Sequence, residues 1–261
     1  PTALEKLLAP FFDPDVGGVC GRLKFREIAE CRMPDAELRT PDSEFDISSR
    51  HSSSSEGFYW RLETKLKAME SRLDSCLGAN GAIYAIRSSL FRPDIPDNTI
   101  VDDFVIGMKV REQGFRMLYE PGAVAEEEFP EEEQEWKRRV RIGAGDYQAM
   151  MLCMKCLLPR YGIFAWQFWS HKVLRWFTPH LGLLLVVCSL FMVGRNGLNA
   201  GIYLPLVILA GTAVFILCSV LGKFLDSMAG NPAGWFFRMC NYFLIMNMAL
   251  FAGSVRFIAG D

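Results

Sequence analysis

The sequence has no excess of positive charge. Its 261 residues include 28 lysines and arginines against 30 aspartates and glutamates, a formal net charge of -2. Proteins that bind nucleic acid through its phosphates usually present a basic surface, so the composition gives no argument for a nucleic-acid partner. The chain also begins with Pro1 and has no basic segment followed by an apolar one, the pattern of a secretory leader. We therefore expect a fragment whose upstream part lies before Pro1.

The spacing of the eight cysteines indicates neither a disulfide framework nor a zinc site. Cys153 and Cys156 form a lone CxxC without a second pair or a nearby histidine, so neither a zinc site nor a redox site is expected there. Three other cysteines lie in apolar segments, where a cysteine behaves as a small hydrophobic residue.

Apolar residues, in contrast, are abundant. They make up 51% of the chain, aromatic residues make up 13%, and the mean hydropathy is +0.15. The apolar residues concentrate after residue 160 and the charged residues before it, which predicts a soluble half followed by a membrane half. The predicted parts are a soluble domain at 1–158, an interfacial amphipathic helix at 159–178 and transmembrane helices at 179–261.

The stretch 100–110 combines an apolar helical pattern with two adjacent carboxylates. Val101, Phe104 and Met108 recur at helical spacing, and Asp102 and Asp103 fall in the first turn of the predicted helix. Carboxylates there are stabilised by the helix dipole, which is a sufficient structural reason for a lone Asp-Asp pair. Two neighbouring segments favour a reaction centre instead.

One of these segments lies upstream and consists of small residues. It ends a predicted helix with residues that tolerate a left-handed backbone, and residues 82–86 then alternate as a strand. Its structural interpretation is a helix cap followed by a buried strand. The segment comprises Gly78, Ala79, Asn80 and Gly81.

The other segment lies downstream, at residues 137–148, and is dense in arginine. If it is helical, Arg138 and Arg141 share a face and Arg139 points elsewhere. Guanidinium groups bind phosphate oxygens in a bidentate way that lysine cannot match. The other interpretation is an amphipathic helix whose basic residues face acidic lipid headgroups.

In this order, the three segments resemble the membrane-integrated family 2 glycosyltransferases, the group that includes hyaluronan, chitin and cellulose synthases. The resemblance implies an α/β, GT-A-like catalytic domain that transfers a sugar, with inversion, from a nucleotide-sugar donor to a glycan or lipid acceptor. Val101-Asp102-Asp103 stands in the place of the family's Thr-Glu-Asp-type motif. Asp103 is then the expected base, Asp102 positions the acceptor or Asp103, and residues 78–81 line the acceptor pocket.

The family's Gln-Arg-x-Arg-Trp motif falls on Arg138-Arg139-Val140-Arg141-Ile142. Arg138, Arg139 and Arg141 are therefore expected to bind the donor diphosphate. Arginine replaces the family's glutamine and isoleucine its tryptophan, which speaks against synthesis of a long polymer.

The family also has a metal-binding D-x-D motif, which would fall just before Pro1. We therefore expect a divalent cation, Mg or Mn, to be bound mainly upstream, with no metal site within this sequence. Asp13-Pro14-Asp15 also reads D-x-D, but its proline and the following glycines favour a turn between a helix and a strand.

The other elements follow from apolar periodicity and turn residues. Residues 31–56, which are rich in serine and contain His51, predict a loop, and the acid-rich residues 126–135 predict a solvated helix N-terminus. The predicted helices are 1–12, 57–77 and 136–148, and the predicted strands are 16–25, 82–86 and 114–121, the last stopped by Pro121.

The membrane half begins with a segment that mixes tryptophans with His171, Lys172 and Arg175, which is typical of a membrane interface. Only Arg195 lies in the first loop between spans. The positive-inside rule then predicts an integral protein of the cell or inner membrane with its catalytic half in the cytoplasm. The predicted spans are 179–193, 202–221 and 235–258.

Two other classes of protein share some of these features. A non-catalytic scaffold, or a partner subunit of a polysaccharide-synthesis complex, explains the altered arginine motif without chemistry. A transporter fits less well, because three spans are few and no interrupted inverted repeat is visible. A glycosyltransferase would have the donor, the acceptor and the lipid bilayer as partners, together with any accessory subunits.

Overall fold

The structure, a computed structural model of the chain, describes residues 2–26, 55–91, 94–128, 132–196, 202–224 and 232–260. These residues form a mixed α/β fold that is mostly helical and contains one small sheet. The α/β class predicted from the alternation of strand and helix patterns is confirmed. His51 and nearly all of the predicted loop at 31–56 lie outside the described residues.

The sheet has three strands, β1 (Val16–Arg26), β2 (Tyr84–Ile86) and β3 (Arg116–Glu128). Strand β1 lies in the middle, antiparallel to β2 and parallel to β3. All three strands were predicted, although β2 is shorter than the alternating pattern indicated. Parallel neighbours need a long crossover connection, and the chain between β1 and β3 supplies one that includes two helices.

Strand β3 continues through Pro121, so the prediction that this proline stops it was wrong. At the step Gly21–Arg22 of β1, the paired residue on β3 jumps from Glu120 to Val124. Pro121 therefore falls in an irregular stretch between paired residues, where its missing N–H costs no ladder hydrogen bond. Residues 126–128 consequently belong to the strand and not to a helix N-terminus.

The described residues of the first half of the chain include four α-helices. The predicted helices at 1–12, 57–77 and 136–148 are present, although their bounds differ by a few residues and a 3-10 turn completes the first. Helix bounds are the least certain part of a pattern-based prediction. The four are α1 (Thr2–Leu8), α2 (Ser55–Leu73), α3 (Asp102–Glu112) and α4 (Glu132–Leu152).

Helix α3 begins at Asp102, and Asp102 and Asp103 both lie in its first turn, as predicted. Its apolar side is completely buried at Val105, Met108 and Val110. The buried face fixes the rotation of the helix, and with it the direction of the two carboxylates.

Beyond residue 160 the described chain is almost entirely helical. Helix α5 (Ile163–Gln167), a π-helical segment (Phe168–Val173) and helix α6 (Leu174–Asn196) follow one another without a break. Pro179, predicted to begin a span, lies inside α6. Two further helices follow, α7 (Tyr203–Phe224) and α8 (Pro232–Ala259).

Among the described residues, three stretches are long and apolar enough to cross a membrane, Ile163–Arg195, Tyr203–Gly222 and Gly234–Ala259. In the first, only 6% of the most apolar window is buried inside the protein. Exposed apolar surface of this extent suggests integration into a bilayer. The three predicted spans are confirmed as helices of this kind, and the first is longer because the predicted interfacial segment continues into it.

One hydrophobic core joins the two halves of the chain. It contains Met108 of α3, Tyr147 of α4 and Phe168 and Trp176 of the first candidate span. The rings of Phe168 and Trp176 meet edge to face, with their centroids 5.9 Å apart. Helix α3 is therefore packed directly against the first candidate span.

Helices α4 and α8 approach each other at two glycines. A Cβ atom on Gly253 would lie 2.6 Å from the backbone of Gly143 and Ala144, so no larger residue fits without a shift. The arginine-dense helix α4 is thus packed against a candidate membrane span.

Candidate functional site

The carboxylate of Asp103 lies where the first turn of α3 meets the loop of residues 78–81. Its Oδ1 accepts a hydrogen bond from the N–H of Phe104 at 2.8 Å. Its backbone oxygen accepts one from the N–H of Ala79 at 3.3 Å. A Cβ atom on Gly81 would lie 3.3 Å from Oδ2, so the side chain faces the loop directly.

Burial raises the pKa of Asp103, and the neighbouring charge of Asp102 acts in the same direction. The N–H of Phe104 and the ammonium group of Lys67 oppose this rise in pKa. Asp102 itself is exposed. A carboxylate with a raised pKa is a stronger base than one in water, which suits it to accept a proton from a hydroxyl.

Small residues allow the loop to lie against α3. Gly78 has φ +73°, and a Cβ atom there would lie 2.4 Å from the ring of Phe104. On the helix side, a Cβ atom on Gly107 would lie 2.8 Å from the N atom of Ala79. Both glycines are therefore needed for the close contact between the loop and the helix that carries Asp103.

Asn80 ties this loop to two other elements. Its Nδ2 donates to the backbone oxygen of Gly21 in β1 at 2.7 Å, and its Oδ1 accepts a hydrogen bond from Nζ of Lys67 in α2. Both ends of the Asn80 amide are engaged within the fold. Of the four residues predicted to contact an acceptor, Ala79 and Gly81 lie nearest to Asp103.

The three predicted phosphate-binding arginines lie on α4 but are not equivalent. Arg138 and Arg139 both bind the carboxylate of Glu135, at 2.8 Å and 2.6 Å. Helical spacing predicted that Arg139 points away from Arg138, and this was wrong because both side chains reach one carboxylate. The guanidinium of Arg139 also lies 5.0 Å from the centre of the Tyr242 ring on α8.

Arg141 is exposed and makes no hydrogen bond to any residue that the structure describes. It precedes Gly145 by one turn. Gly145 packs against Ile100, since a Cβ atom on it would lie 2.9 Å from that side chain. Gln148, on the same side of α4, accepts a hydrogen bond from the N–H of Ile100 at 2.9 Å. Arg141 thus belongs to the face of α4 that holds the segment leading into Asp102.

A cavity of about 170 Å³ opens between α2, α4 and α8. One wall is aromatic, and another carries guanidinium and carboxyl groups, a combination that suits a ligand with both apolar faces and hydroxyl groups. The lining includes Tyr59, Trp60, Arg138, Arg139, Asp146 and Tyr242.

Asp146 is the acidic group of this cavity whose titration is most altered. Burial raises its pKa to about 7, although the cations of Arg175 and Lys172 oppose the shift. The carboxylate of Asp103 is close enough to add to the rise. The negative charge of Asp103 thus acts on the acidic group of the cavity.

A buried ionic cluster joins α2 to the first candidate span. We call it the Glu63 cluster, and define it as Glu63, Glu70, His171, Lys172 and Arg175. Glu63 binds Nζ of Lys172, Nε2 of His171 at 3.2 Å and a guanidinium nitrogen of Arg175 at 3.1 Å. Glu70 binds Nδ1 of His171. The three basic residues, predicted to mark the membrane interface, contact α2 instead.

The pKa of Glu63 is held well below its usual range. Burial alone would raise it, but contacts with Lys172, His171 and Arg175 outweigh that effect. Glu63 is therefore a fixed negative charge at neutral pH, and the cluster acts as a permanent clamp between α2 and the span.

A second cavity, of about 480 Å³, lies at the other end of α3 and is lined by Lys109, Glu112 and Lys155 among others. Glu112 lies nine residues after Asp103, which at 1.5 Å per residue places it roughly 14 Å away. This larger cavity is thus remote from the predicted base.

A metal site is not formed by the residues described in the ranges above. Within them, no group of three or more His, Cys, Asp or Glu side chains could hold a metal ion. Oδ1 of Asp13 accepts a hydrogen bond from the N–H of Asp15 at 2.9 Å, so this pair forms a turn, as predicted. The cation site expected upstream of Pro1 involves no residue of this sequence.

No model of a known protein family matches this chain, and no curated protein matches it either. The resemblance to family 2 glycosyltransferases therefore rests on the three sequence segments that contain residues 78–81, Asp103 and the arginines of α4.

Sequence reasoning missed three residues near the site, Glu63, Lys67 and Asp146. Glu63 and Lys67 lie on a helix whose charges looked solvent-facing, and their partners are distant in sequence. Asp146 offered a signal, because it is an acidic residue flanked by small and apolar ones in a helix that packs against a membrane span.

Proposed function

We propose that this chain carries the acceptor side of an inverting, GT-A-like glycosyltransferase of the membrane-integrated family 2 type. The reaction would move a sugar from a nucleotide-sugar donor to a glycan or lipid acceptor. The observation that carries the proposal is the partly buried carboxylate of Asp103, which lies against a loop without bulky side chains and whose pKa is raised by burial.

In the proposed reaction, Asp103 accepts the proton of an acceptor hydroxyl. The hydroxyl oxygen then forms a bond to the anomeric carbon, and the bond from that carbon to the diphosphate oxygen breaks, with its electron pair leaving on the diphosphate. A positioned general base contributes about 10²- to 10⁴-fold to the rate of such a step. Asp102, exposed beside Asp103, would orient the acceptor.

The departing diphosphate needs fixed positive charge. Arg141 fits this role best among the three arginines, because it is exposed and lies on the side of α4 that contacts Ile100. Arg138 and Arg139 both bind the carboxylate of Glu135, which holds their guanidinium groups at the edge of the cavity.

The proposed orientation has the catalytic half on the cytoplasmic side of the membrane. Lys172 and Arg175 precede the apolar residues 179–193 of the first candidate span on the side of the catalytic half, and the positive-inside rule favours the cytoplasm for that side. A cytosolic nucleotide-sugar pool would then reach the site directly.

The test is release of nucleoside diphosphate by membranes that contain the protein, across a panel of UDP- and GDP-sugars. We expect release with one donor and a loss of about 10²- to 10⁴-fold in Asp103→Asn. Asp97→Asn changes an exposed carboxylate of the preceding segment and should keep the wild-type rate. Equal release by wild type and Asp103→Asn would disprove the role of Asp103.

The alternative function is a non-catalytic scaffold or partner subunit of a polysaccharide-synthesis complex. The binding of both Arg138 and Arg139 by Glu135 favours it, because guanidinium groups used this way stabilise the fold. Absence of release with every donor, together with co-purification of a separate active transferase, would support the scaffold.

A further inference from the structure

Helix α2 has a buried stripe of three charged residues. Glu63, Lys67 and Glu70 recur at helical spacing, and each is at most 9% exposed. Lysines are rarely buried, because removing an ammonium group from water without a partner is costly. The burial of Lys67 therefore needs an explanation, which its contacts supply.

The two glutamates of the stripe belong to the Glu63 cluster and are neutralised by its cations. Lys67 forms no ion pair with any residue in the described part of the chain. Its Nζ instead donates to the backbone oxygen of Ala79 at 3.3 Å and to Oδ1 of Asn80. Both side-chain hydrogen bonds of Lys67 thus go to the loop of residues 78–81.

This loop is also where the backbone of Asp103 is held, through the N–H of Ala79. Asn80 also contacts β1, because its Nδ2 donates a hydrogen bond to the backbone oxygen of Gly21. The chain of contacts from Lys67 through Asn80 to Gly21 fixes the distance between α2, the loop and the sheet.

Lys67 is also the cation that acts on the Asp103 carboxylate. The other charged or titratable groups that interact with Asp103 are Asp102 on its own helix, Asp146 on α4 and Tyr84 on β2. When ionised, all three of these are negative. Lys67 is therefore the one positive side chain in this described set, and it favours the ionised form of Asp103.

We propose that Lys67 is the positioning residue of the Asp103 centre: it holds the acceptor loop through Ala79 and Asn80, and its charge keeps Asp103 in the form that can accept a proton. The proposal of a charge role rests on the function proposed above for Asp103. The loop-holding role stands on the contacts alone.

The two roles have separate consequences. A general base works only when it is ionised, so the rate falls on the acid side as pH drops through the pKa of Asp103. Removal of the Lys67 charge raises that pKa, and the acid limb of the rate profile should move to higher pH by roughly one unit. Removal of the ammonium contacts should also loosen residues 79–83.

The experiment compares Lys67→Met, Lys67→Arg and Asn80→Ala in membranes or nanodiscs that contain the full protein. Nucleoside diphosphate release is measured as a function of pH and acceptor concentration, and amide hydrogen exchange is measured over residues 78–83. We expect Lys67→Met to shift the acid limb and to speed exchange, and Lys67→Arg to restore the wild-type midpoint. Asn80→Ala should speed exchange with little change in the midpoint.

A uniform loss of rate in Lys67→Met, with an unchanged acid limb, would overturn the charge role. Unchanged exchange in both Lys67→Met and Asn80→Ala would overturn the loop role. If wild type releases no diphosphate, the proposed function fails and the exchange measurement alone decides the loop role. Should Lys67→Met not accumulate, Lys67→Gln removes the charge while keeping a hydrogen-bond donor, and the same readouts apply.

Discussion

Glu63 on α2 and Asp146 on α4 both lie beside Lys172 and Arg175, yet the pKa values of their carboxyl groups are shifted in opposite directions. The pKa of Glu63 is well below its usual range, and that of Asp146 is raised to about 7. Both groups are penalised by burial. The difference is contact, because Glu63 forms ion pairs with both cations and Asp146 forms none with either.

The comparison separates two kinds of buried charge in one protein. A carboxylate held by direct ion pairs is a fixed part of the fold, as in the Glu63 cluster. A carboxyl that interacts with cations only from a distance has a raised pKa, which is about 7 at Asp146 and is shifted in the same direction at Asp103, and both groups lie at the candidate site. A direct ion pair, more than the depth of burial, decides whether the pKa of a carboxylate is lowered or raised here.

Glu63→Gln should produce the largest effect on stability. It leaves Lys172 and Arg175 in a buried contact without their counter-charge, and breaking a buried ion pair from one side costs about 3–5 kcal/mol. The melting temperature in lipid nanodiscs is the measurement. Lys65→Gln, an exposed change on the same helix, is the matched control. A loss no greater than in the control would mean that the cluster is not a clamp.

Asp146→Asn should have a smaller effect whose sign depends on pH. The raised pKa means that the folded state prefers the protonated carboxyl, so this stabilisation is present below about pH 4 and is lost as pH rises through about 7. The variant should therefore be more stable than wild type at about pH 8, by on the order of 1–3 kcal/mol, and lose most of this advantage at about pH 5. A stability difference that is the same at both values would contradict the titration of Asp146.

Glu135→Gln tests an intermediate case. Glu135 is paired with Arg138 and Arg139 at the edge of a cavity, and the Arg138 side chain is 35% exposed. We expect a loss of about 1 kcal/mol that shrinks in about 1 M salt, because partly exposed ion pairs are screened. A loss that is insensitive to salt would move this group into the same class as the Glu63 cluster.

Lys109→Ala should have the smallest effect. Lys109 binds Glu112 at 2.8 Å at the rim of the larger cavity, and Lys155 binds the same carboxylate from the other side. Helical ion pairs at this spacing contribute about 0.5 kcal/mol, and Lys155 remains to neutralise Glu112. A loss that exceeds the effect of Glu135→Gln would break the ranking by contact.

The sequence was sufficient for features that depend on local patterns. Helix α3 and the first-turn position of Asp102 and Asp103 followed from apolar spacing, and the three candidate spans followed from runs of apolar residues. Gly78 to Gly81 were recognised as special because they lack side chains, which is a property of the residues themselves.

Other features depended on contacts between distant residues and could not be read from local patterns. Glu63 lies more than 100 positions from its partners His171 and Lys172, so on its own helix it resembles a solvated charge. Strand β3 runs through Pro121 only because the pairing with β1 is irregular there. Arg138 and Arg139 converge because Glu135 lies within reach of both, which helical spacing alone did not reveal.

The π-helical segment Phe168–Val173 carries two of the residues that contact α2, His171 and Lys172, and leads into the apolar length of α6. A π-turn holds about one residue more than an α-turn. Deleting one residue here would let the helix close into regular α-geometry with little rotation of α6. The residues left in the turn would take new positions, so His171 and Lys172 could not both keep their present alignment with Glu63. The length of this segment should therefore be preserved in evolution together with its two cluster residues.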